Sequence, residues 1–375
     1  MSKSRLSVWR QCPKRLWLQI HRPELMEVSP TDEQRFMVGY EVGAVAQSLY
    51  PAGILVDDED LSAALQRTQQ ILQDEPGKPV FEATFQHDGL LVRCDVLIPT
   101  ARGFRMVEVK SSASVKPQHI DDCALQAWVL QQNNLSLASI ELAHIDTSFV
   151  YQGDGQYHGL FHHEKLDSEI IPLLDEIPDW IADARQVLAS DAPDILPGPQ
   201  CDSPYECPFK VHCAQQCPAD PEPAYPLSSL YRLSAATRET LLAKGYRDAR
   251  DVPPEYLNST QRWIQRVAQS GQAELSPTAA QVLSAYPYPR YYLDFETIAM
   301  AVPRFAQTSP YRTQVPFQWS CHIEQEDGSL EHSMFLDVSG EDPRRACAES
   351  LVQALGTHGP IFVYYQQFEK GRISE

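Results

Sequence analysis

Residues 81–112, FEATFQHDGLLVRCDVLIPTARGFRMVEVKSS, decide the fold of this chain. Apolar residues alternate with polar ones in three short runs, which predicts strands at 81–86, 90–97 and 104–110. An Asp-Gly turn separates the first two runs, and Gly103 separates the second from the third. Turns of this kind between alternating runs are typical of β-hairpins. We therefore expect three consecutive strands joined by hairpins.

Three ionisable residues interrupt the apolar pattern of these strands: Asp95, Glu108 and Lys110. Side chains alternate along a strand, so Glu108 and Lys110 share one face, and Asp95 on the neighbouring strand lies within reach of Glu108. Two converging carboxylates are ligands that Mg²⁺ or Mn²⁺ prefers, and a lysine beside them can orient water or neutralise developing charge. The alternative is an exposed hairpin with an ordinary Glu–Lys pair.

The composition is that of a globular protein. With 375 residues, 43% hydrophobic and 22% charged, the chain has room for two or three domains. A formal net charge of −19 counts against a protein that coats nucleic acid through bulk attraction, but it allows an enzyme with a local basic groove. There is no run of about 18 apolar residues and no secretory signal, so we expect a cytoplasmic protein without membrane segments.

Apolar spacing predicts helices and strands along the rest of the chain. Residues 139–151 are a predicted strand, and helices are expected at 4–22 with a break near Pro13, 31–49, 58–74, 121–132 and 166–188. Thr31 or Asp32 would cap the second helix. Residues 228–285 are predicted to be helical, and they precede an α/β pattern with strands from 291 and at 317–324, 331–337 and 360–365, and a helix at 342–355. A proline-rich link near 220 gives three predicted domains: 1–220, 221–285 and 286–375.

The first 22 residues carry six basic side chains and no acidic one: Lys3, Arg5, Arg10, Lys14, Arg15 and Arg22. In the functional interpretation, this basic helix contacts phosphates, and Trp9 or Trp17 stacks on a base. The alternative is an ordinary amphipathic helix with a solvated charged face.

Four of the nine cysteines fall within seventeen residues, with the spacing Cys201-x5-Cys207-x5-Cys213-x3-Cys217. An odd total and this density indicate a metal or cluster site in a reducing compartment and not a secreted disulfide framework. The spacing differs from the paired C-x2-C of a zinc ribbon, so an iron–sulfur cluster is favoured over zinc.

A second pair of carboxylates lies on the strand that opens at residue 291. Asp294 and Glu296 share one face of this strand, at a spacing suited to a metal ion. The alternative is an edge strand with exposed acidic residues.

Several of these pieces together resemble the RecB-like branch of the PD-(D/E)xK nucleases. They are Ser4-Arg-Leu-x-x-Trp-x-x-Cys12-Pro13, Asp95, Glu108-Val-Lys110 and Gln126. The resemblance implies a restriction-endonuclease-like core over residues 1–220, with helices flanking a mixed sheet. It also implies that Asp95, Glu108 and the carbonyl of Val109 bind Mg²⁺ or Mn²⁺, that Lys110 positions the attacking water, and that Gln126 steadies Lys110 or the substrate.

The chain departs from that branch at one position. The branch has Gly-x3-His on the helix before the strands, with the histidine as a metal ligand, whereas this chain has Gly43-x3-Gln47. An amide oxygen at Gln47 can still bind the ion, but more weakly.

The cysteines resemble those of the iron–sulfur members of the same branch, such as the CRISPR-associated RecB-like exonucleases and the AddB nuclease. By that resemblance a [4Fe–4S] cluster is bound by one N-terminal cysteine and three C-terminal ones: Cys12, Cys201, Cys207 and Cys213. Cys217 is an additional cysteine that could replace Cys201.

The C-terminal part is similar to the DEDD exonucleases of the ribonuclease H-like fold. Tyr292-Leu-Asp294-Phe-Glu296-Thr matches their first motif, and Val363-Tyr-Tyr-Gln-Gln-Phe-Glu369 resembles the second, with Glu369 in the usual Asp position. The third motif is not in the chain. This implies a partial, inactive ribonuclease H-like domain, in a combination similar to bacterial proteins that join it to a RecB-like nuclease.

The sequence therefore predicts a metal-dependent DNA nuclease that acts on single strands or ends in DNA processing or repair. Its expected partner is nucleic acid, with a repair or defence protein as a further possibility. Two rivals remain open. One is a nuclease fold with a weakened metal site that holds DNA without cutting it, and the other is an iron–sulfur redox sensor in which the nuclease fold is a relic.

Overall fold

The computed structural model of the chain describes residues 1–27, 30–217 and 222–374, with the side chains of 30–32 left out. The proposed helix cap at Thr31 or Asp32 and the predicted domain boundary at 220 lie outside the described residues. The protein is a mixed α/β structure with two mixed sheets, which confirms the predicted α/β class.

The first sheet lies in the N-terminal part and has the strand order β1-β2-β3-β4-β5-β6. Its strands are Ile54–Leu55, Val80–His87, Leu90–Thr100, Gly103–Lys110, Leu137–Ile145 and Phe161–Lys165. The helices of this part, α1 to α8, are Lys3–Gln11, Pro13–His21, Pro30–Ser48, Leu61–Asp74, Pro117–Gln132, Asp167–Leu174, Ile177–Ala189 and Lys210–Gln216. Strands β2, β3 and β4 are antiparallel, as the two glycine turns predict, and α5 crosses over to β5, which is parallel to β4.

The second sheet has the order β10-β7-β8-β9, with strands Ile361–Phe362, Arg290–Ile298, Val315–Glu324 and Leu330–Leu336 in that spatial order. Helix α12, Arg344–Ala354, packs on this sheet through Cys347 and Leu351, and α13, Gln366–Ser374, follows β10. Between α8 and the second sheet, the described residues form three further α-helices: α9 (Ala235–Ala243), α10 (Ser259–Ser270) and α11 (Ala279–Ser284).

Several predicted boundaries are wrong. The strand predicted at 139–151 ends at Ile145, because the chain turns there and returns as β6. The helix predicted at 166–188 is divided into α6 and α7, and the strand predicted at 360–365 has two residues. The predicted break near Pro13 is confirmed: Cys12 has extended backbone between α1 and α2, since proline disfavours helical geometry in the residue before it.

The two faces of the first sheet are covered by different helices. The main core, which includes Leu6 of α1, Leu125 of α5 and Ile181 of α7, packs against one face of the first sheet through residues such as Met106 and Leu142. The neighbours Val107 and Ala143 belong to a separate cluster, on the opposite face. Helix α3 packs near that opposite face, through contacts of Val42 with Ile145 and partly buried Val109. Strand β4 therefore lies between two layers of helices: α1 and α5 cover one of its faces, and α3 lies near the other.

A segment before β8 joins the two parts of the molecule. Ala301 and Val302 pack in the cluster of α3, and the Tyr311 hydroxyl donates a hydrogen bond to the carbonyl of Ser111, directly after β4. Arg304 forms an ion pair with Glu41 at 2.8 Å. Among the helices that the structure describes, none is long and apolar enough to cross a bilayer.

Candidate metal and cluster sites

The candidate metal site lies where β3 and β4 separate. Their paired residues run from Thr100–Gly103 to Val96–Val107. Beyond that point the backbone N–H of Val109 donates to Asp95 Oδ2, at 2.6 Å, and not to a backbone carbonyl. The side chain of Asp95 thus occupies the fork between the strands, where it is half-buried.

Glu108 is the most enclosed charge of this site, with 2% of its side chain exposed. Its Oε1 lies 2.7 Å from Lys3 Nζ and 2.8 Å from Lys110 Nζ, and its Oε2 accepts a hydrogen bond from Gln126 Nε2 at 2.5 Å. Burial alone would raise the pKa of Glu108, but the ammonium groups of Lys110 and Lys3 outweigh it and hold this pKa well below its usual range.

Lys110 is held from two sides. Its ammonium group contacts Glu108 and, at 2.8 Å, Asp122 Oδ2 of α5. The Ser7 hydroxyl of α1 donates to the other oxygen of Asp122, also at 2.8 Å. The site is therefore assembled from β4, α1 and α5, and the predicted residues Glu108, Lys110 and Gln126 are brought together.

Sequence reasoning missed Lys3, Ser7 and Asp122 as site residues. The signal that could have found them is helical spacing, since Lys3 and Ser7 are four residues apart, as are Asp122 and Gln126. Residues with that spacing share a helix face. Nothing in the sequence indicates that both faces meet at the same strand.

A cavity of about 330 Å³ lies beside the fork, between α3 and the sheet. Its carboxylate and amide side chains are Gln47, Glu82 and Asp95, and Val109 lines it too. Gly39 and Gly43 form part of the helix wall, where a Cβ atom would meet nothing within 4 Å. Oxygen donors of this kind suit a hard divalent cation.

Glu82 is a further residue that sequence reasoning missed. It lies on β2 between the Phe81–Val96 and Ala83–Cys94 pairs, and its φ of 53° is in the left-handed region that non-glycine residues rarely adopt. Burial is the largest cause that raises its pKa. The available signal was a glutamate inside the apolar run FEATF.

Glu108 does not line this cavity. Its oxygens face α1 and α5, whereas Asp95 and Gln47 line the space beside α3. The predicted sharing of one ion by Asp95 and Glu108 stays a prediction, and it requires Glu108 to give up an ammonium contact. The two carboxyl groups do influence each other, because the charge of Glu108 raises the pKa of Asp95.

We expect Asp95→Asn to stabilise the metal-free protein at pH 8. Burial and then the charge of Glu108 raise the pKa of Asp95 to about 7. An unfolded aspartate ionises near pH 4, so the cost of the buried charge develops as the pH rises from about 4 to 7. Asparagine can still accept the Val109 N–H. The full shift corresponds to about 4 kcal/mol, and we expect a gain of about 1–4 kcal/mol at pH 8 that is small at pH 4.

Denaturant unfolding with a chelator at both pH values measures this difference. Asp183→Asn on the exposed face of α7 is the matched control, and it should leave the free energy of unfolding unchanged within about 0.5 kcal/mol. An Asp95→Asn variant less stable than the wild type at pH 8 would contradict the raised pKa.

The four cysteines predicted as cluster ligands also lie together. Cys201, Cys207 and Cys213 form a buried cluster with Leu18 and Phe209, and Cys12 lines the same small pocket. Cys217 is half-buried and outside that pocket. This pocket thus brings the start of α2 next to the loop and helix at residues 201–213, although the two parts are about 190 residues apart in the sequence.

The donor set of this pocket is four cysteine sulfurs, which suit a soft metal ion or an iron–sulfur cluster. Burial raises the pKa of Cys207, and Cys201 and Cys12 raise it further. Thiolates in these positions therefore need a bound cation or cluster to offset their charge.

The predicted phosphate-contacting residues of the first helices are largely engaged within the chain. Lys3 contacts Glu108, Arg10 contacts Asp121 at 3.1 Å, and Arg22 forms an ion pair with Glu24. The two tryptophans predicted to stack on a base are half-buried and also have contacts within the chain: Trp9 packs against the main core, and the Trp17 indole donates to the carbonyl of Ser190. The cause is that α1 and α2 are covered by α5 and α7.

The exposed aromatic side chains near the cavity are on α3 instead. Tyr40 lines the cavity and is 77% exposed, and Phe36, one turn earlier on α3, is 66% exposed.

The second carboxylate site is also brought together. Asp294 and Glu296 are exposed on one face of β7, and Glu369 of α13 is buried, with Oε2 lacking a hydrogen-bond partner. Burial raises the pKa of Glu369, and the charges of Asp294 and Glu296 raise it further. A metal ion at these three residues stays a prediction.

Comparison with known proteins concerns the second sheet and its helices. Residues 291–375, less than a quarter of the chain, match the family model described as Domain of unknown function (DUF2779). No curated protein and no solved structure matches the chain.

Proposed function

We propose that the chain is a Mg²⁺- or Mn²⁺-dependent nuclease with a RecB-like PD-(D/E)xK core that hydrolyses DNA at single strands or ends. The observation that carries the proposal is the convergence of Asp95, Glu108, Lys110 and Gln126 at one strand fork. The cavity beside the fork offers oxygen donors, which fit the proposed ion.

Asp95, Gln47 and the carbonyl of Val109 would hold the ion, with Glu108 joining once it releases an ammonium group. The bound ion would acidify a water molecule and stabilise charge on a phosphoryl oxygen. Lys110 positions the attacking water at the end of β4, and Asp122 fixes the ammonium group in that place. Gln126 keeps Glu108 oriented toward the lysines.

DNA would reach this site past α3. Tyr40 lines the cavity, and Phe36, four residues earlier on α3, is also exposed. An exposed aromatic ring beside a phosphate-binding site can stack on an unpaired base, which is worth about 1–3 kcal/mol per base. This supports a single-stranded substrate in preference to an intact duplex.

The first test is cleavage of an end-labelled single-stranded oligonucleotide with Mg²⁺ or Mn²⁺. We expect products that depend on the metal and disappear with a chelator. Lys110→Ala should slow cleavage by about 100-fold or more, because it removes a positive group at the reacting phosphate. Glu108 keeps Lys3 as a partner in this variant, so the fold is expected to survive.

Lys165→Ala, an exposed lysine on β6, is the matched control and should cleave at the wild-type rate. A Lys110→Ala variant as active as the wild type would remove Lys110 from the mechanism, and activity that a chelator does not affect would remove the metal.

A second candidate is a protein that binds DNA without cutting it. It is favoured by Gln47, a weak ligand, and by the contact of Lys3 with Glu108, which competes with any cation. This candidate predicts DNA retention without product at every metal concentration.

Gln47→His separates the two candidates. Imidazole binds Mn²⁺ more strongly than an amide oxygen does, so the nuclease proposal expects half-maximal cleavage at an Mn²⁺ concentration lower by about tenfold. Gln69→His on the exposed face of α4 is the control and should change nothing. If the wild type and Gln47→His both bind DNA without cutting it, the second candidate stands.

We also propose that Cys12, Cys201, Cys207 and Cys213 bind a [4Fe–4S] cluster. Their burial with Leu18 and Phe209 supports a structural function for the cluster, because a redox partner would need access to it. The cluster would tie the first helices to the end of the N-terminal unit.

A further inference from the structure

We propose that His144, His162 and Glu164 form a binding site for a divalent transition metal ion of the Zn²⁺ class, separate from the nuclease site. One ligand atom from each of these three residues lies within 4.8 Å of the other two. Two imidazoles and one carboxylate are a ligand set typical of zinc sites that keep an open position for water or an anion.

The sheet itself places these three side chains on one face. His144 of β5 is paired with His162 of the antiparallel edge strand β6, and Glu164 is two residues further along, opposite Leu142. Side chains two residues apart on a strand, and directly paired residues, point to the same face. The imidazole rings of His144 and His162 are 5.3 Å apart between centroids.

The hydrogen bonds of His144 indicate a cation. Its Nδ1 lies 3.2 Å from the carbonyl oxygen of Ile145, and its Nε2 lies 3.0 Å from Glu164 Oε1. Both partners are acceptors, so a neutral ring can satisfy only one of them. A metal ion between Nε2 and the carboxylate resolves this conflict, and the bond from Nδ1 to a backbone carbonyl is the arrangement that metal-binding histidines usually have.

The exposure of the three side chains suits binding from solvent. The side chain of His144 is 8% exposed and is held by the sheet, whereas that of Glu164 is 44% exposed and His162 is also at the surface. The ring nitrogen of His144 would therefore offer the ion a fixed ligand, and His162 and Glu164 would reach it from the surface. It would also fasten the short edge strand β6 to β5.

The histidine site is close to the fork between β3 and β4, but its ligand atoms are of a different kind. His144 is paired with Lys110 in the parallel β4–β5 ladder, so the two sites are one strand apart. Imidazole nitrogen favours transition metals, whereas the oxygen donors of the fork favour Mg²⁺. Excess Mg²⁺ should therefore not displace the ion from the histidines.

The test is calorimetric titration of the full chain, as purified, with Zn²⁺ in excess Mg²⁺. We expect binding that His162→Ala and Glu164→Gln each weaken by about 100-fold. The matched control is His163→Ala, because His163 faces the other side of the sheet and contacts Glu141. It should bind Zn²⁺ as the wild type does.

Titration with Co²⁺ identifies the donor atoms. Nitrogen and oxygen ligands give weak visible bands without the strong thiolate charge-transfer band that the cysteine site would give. The proposal is overturned by a thiolate band for this ion, by equal Zn²⁺ affinity in His162→Ala and the wild type, or by no binding in the wild type.

Discussion

Glu108→Gln is expected to abolish metal-dependent cleavage and to destabilise the protein at the same time. The loss of activity should be at least about 1000-fold, because the variant lacks a carboxylate at the proposed ion and disturbs Lys110. The loss of stability follows from Lys3, whose buried ammonium group loses its carboxylate partner. Breaking a buried pair in this way typically costs about 3–5 kcal/mol.

The double variant Lys3→Met, Glu108→Gln separates these two effects. It removes the unpaired ammonium group, so most of the lost stability should return, while cleavage should stay absent. Denaturant unfolding and the oligonucleotide assay are measured on the same preparations. If cleavage returns together with stability, Glu108 acts through the fold and not in the reaction.

An exposed ion pair of equal length provides the control for stability. Lys78 and Glu75 are also 2.7 Å apart, but their side chains are 44% and 43% exposed. Such surface pairs contribute about 0–1 kcal/mol, so Glu75→Gln should change neither stability nor activity. A similar loss in both glutamate variants would show that burial of the Lys3–Glu108 pair is not the cause.

Cys207→Ser is expected to remove the cluster and a large part of the stability of the N-terminal unit. The wild type, purified anaerobically, should contain about four iron atoms and four sulfides per chain, and the variant should contain almost none. The cysteine pocket lies between α2 and the loop before α8, so the link that the cluster would make between them would be lost. We expect Tm to fall by about 10 °C or more, since each kcal/mol is worth about 2–4 °C in a unit of this size.

Cys217→Ser is the matched control for this prediction. Cys217 lies four residues after Cys213 but outside the shared pocket, so its replacement should leave iron content and Tm unchanged. If Cys217→Ser loses its iron and Cys201→Ser keeps it, Cys217 and not Cys201 is the cluster ligand. A colourless wild type with one zinc per chain would refute the cluster.

Local patterns explain which parts of the fold the sequence predicted. Strands β2, β3 and β4 follow from the turn at Gly89 and from alternation, which act over a few residues. The strand β6 was missed because its sequence, FHHEK, has polar residues on both faces of an edge strand. The end of β5 was placed too late because Phe149 and Val150 add apolar residues after Ile145, although the chain has already turned there.

The site was predictable only where its residues are near one another in sequence or match a known motif. Glu108 and Lys110 share a strand face, and that pattern is visible in three residues. Lys3 contacts Glu108 across 105 positions, and no local rule connects them. Trp9 was assigned to DNA because the helix is basic, but the packing of α1 against the core decides its position.

The segment from Ala301 to Tyr311 has a practical consequence for dividing the molecule. It supplies apolar side chains to the cluster around Val42 and Leu160, and a hydroxyl to the carbonyl of Ser111. A fragment that ended near residue 220 would leave those surfaces uncovered against water. Such a fragment should aggregate or lose order at the end of β4, so its lack of cleavage would say nothing about the catalytic residues.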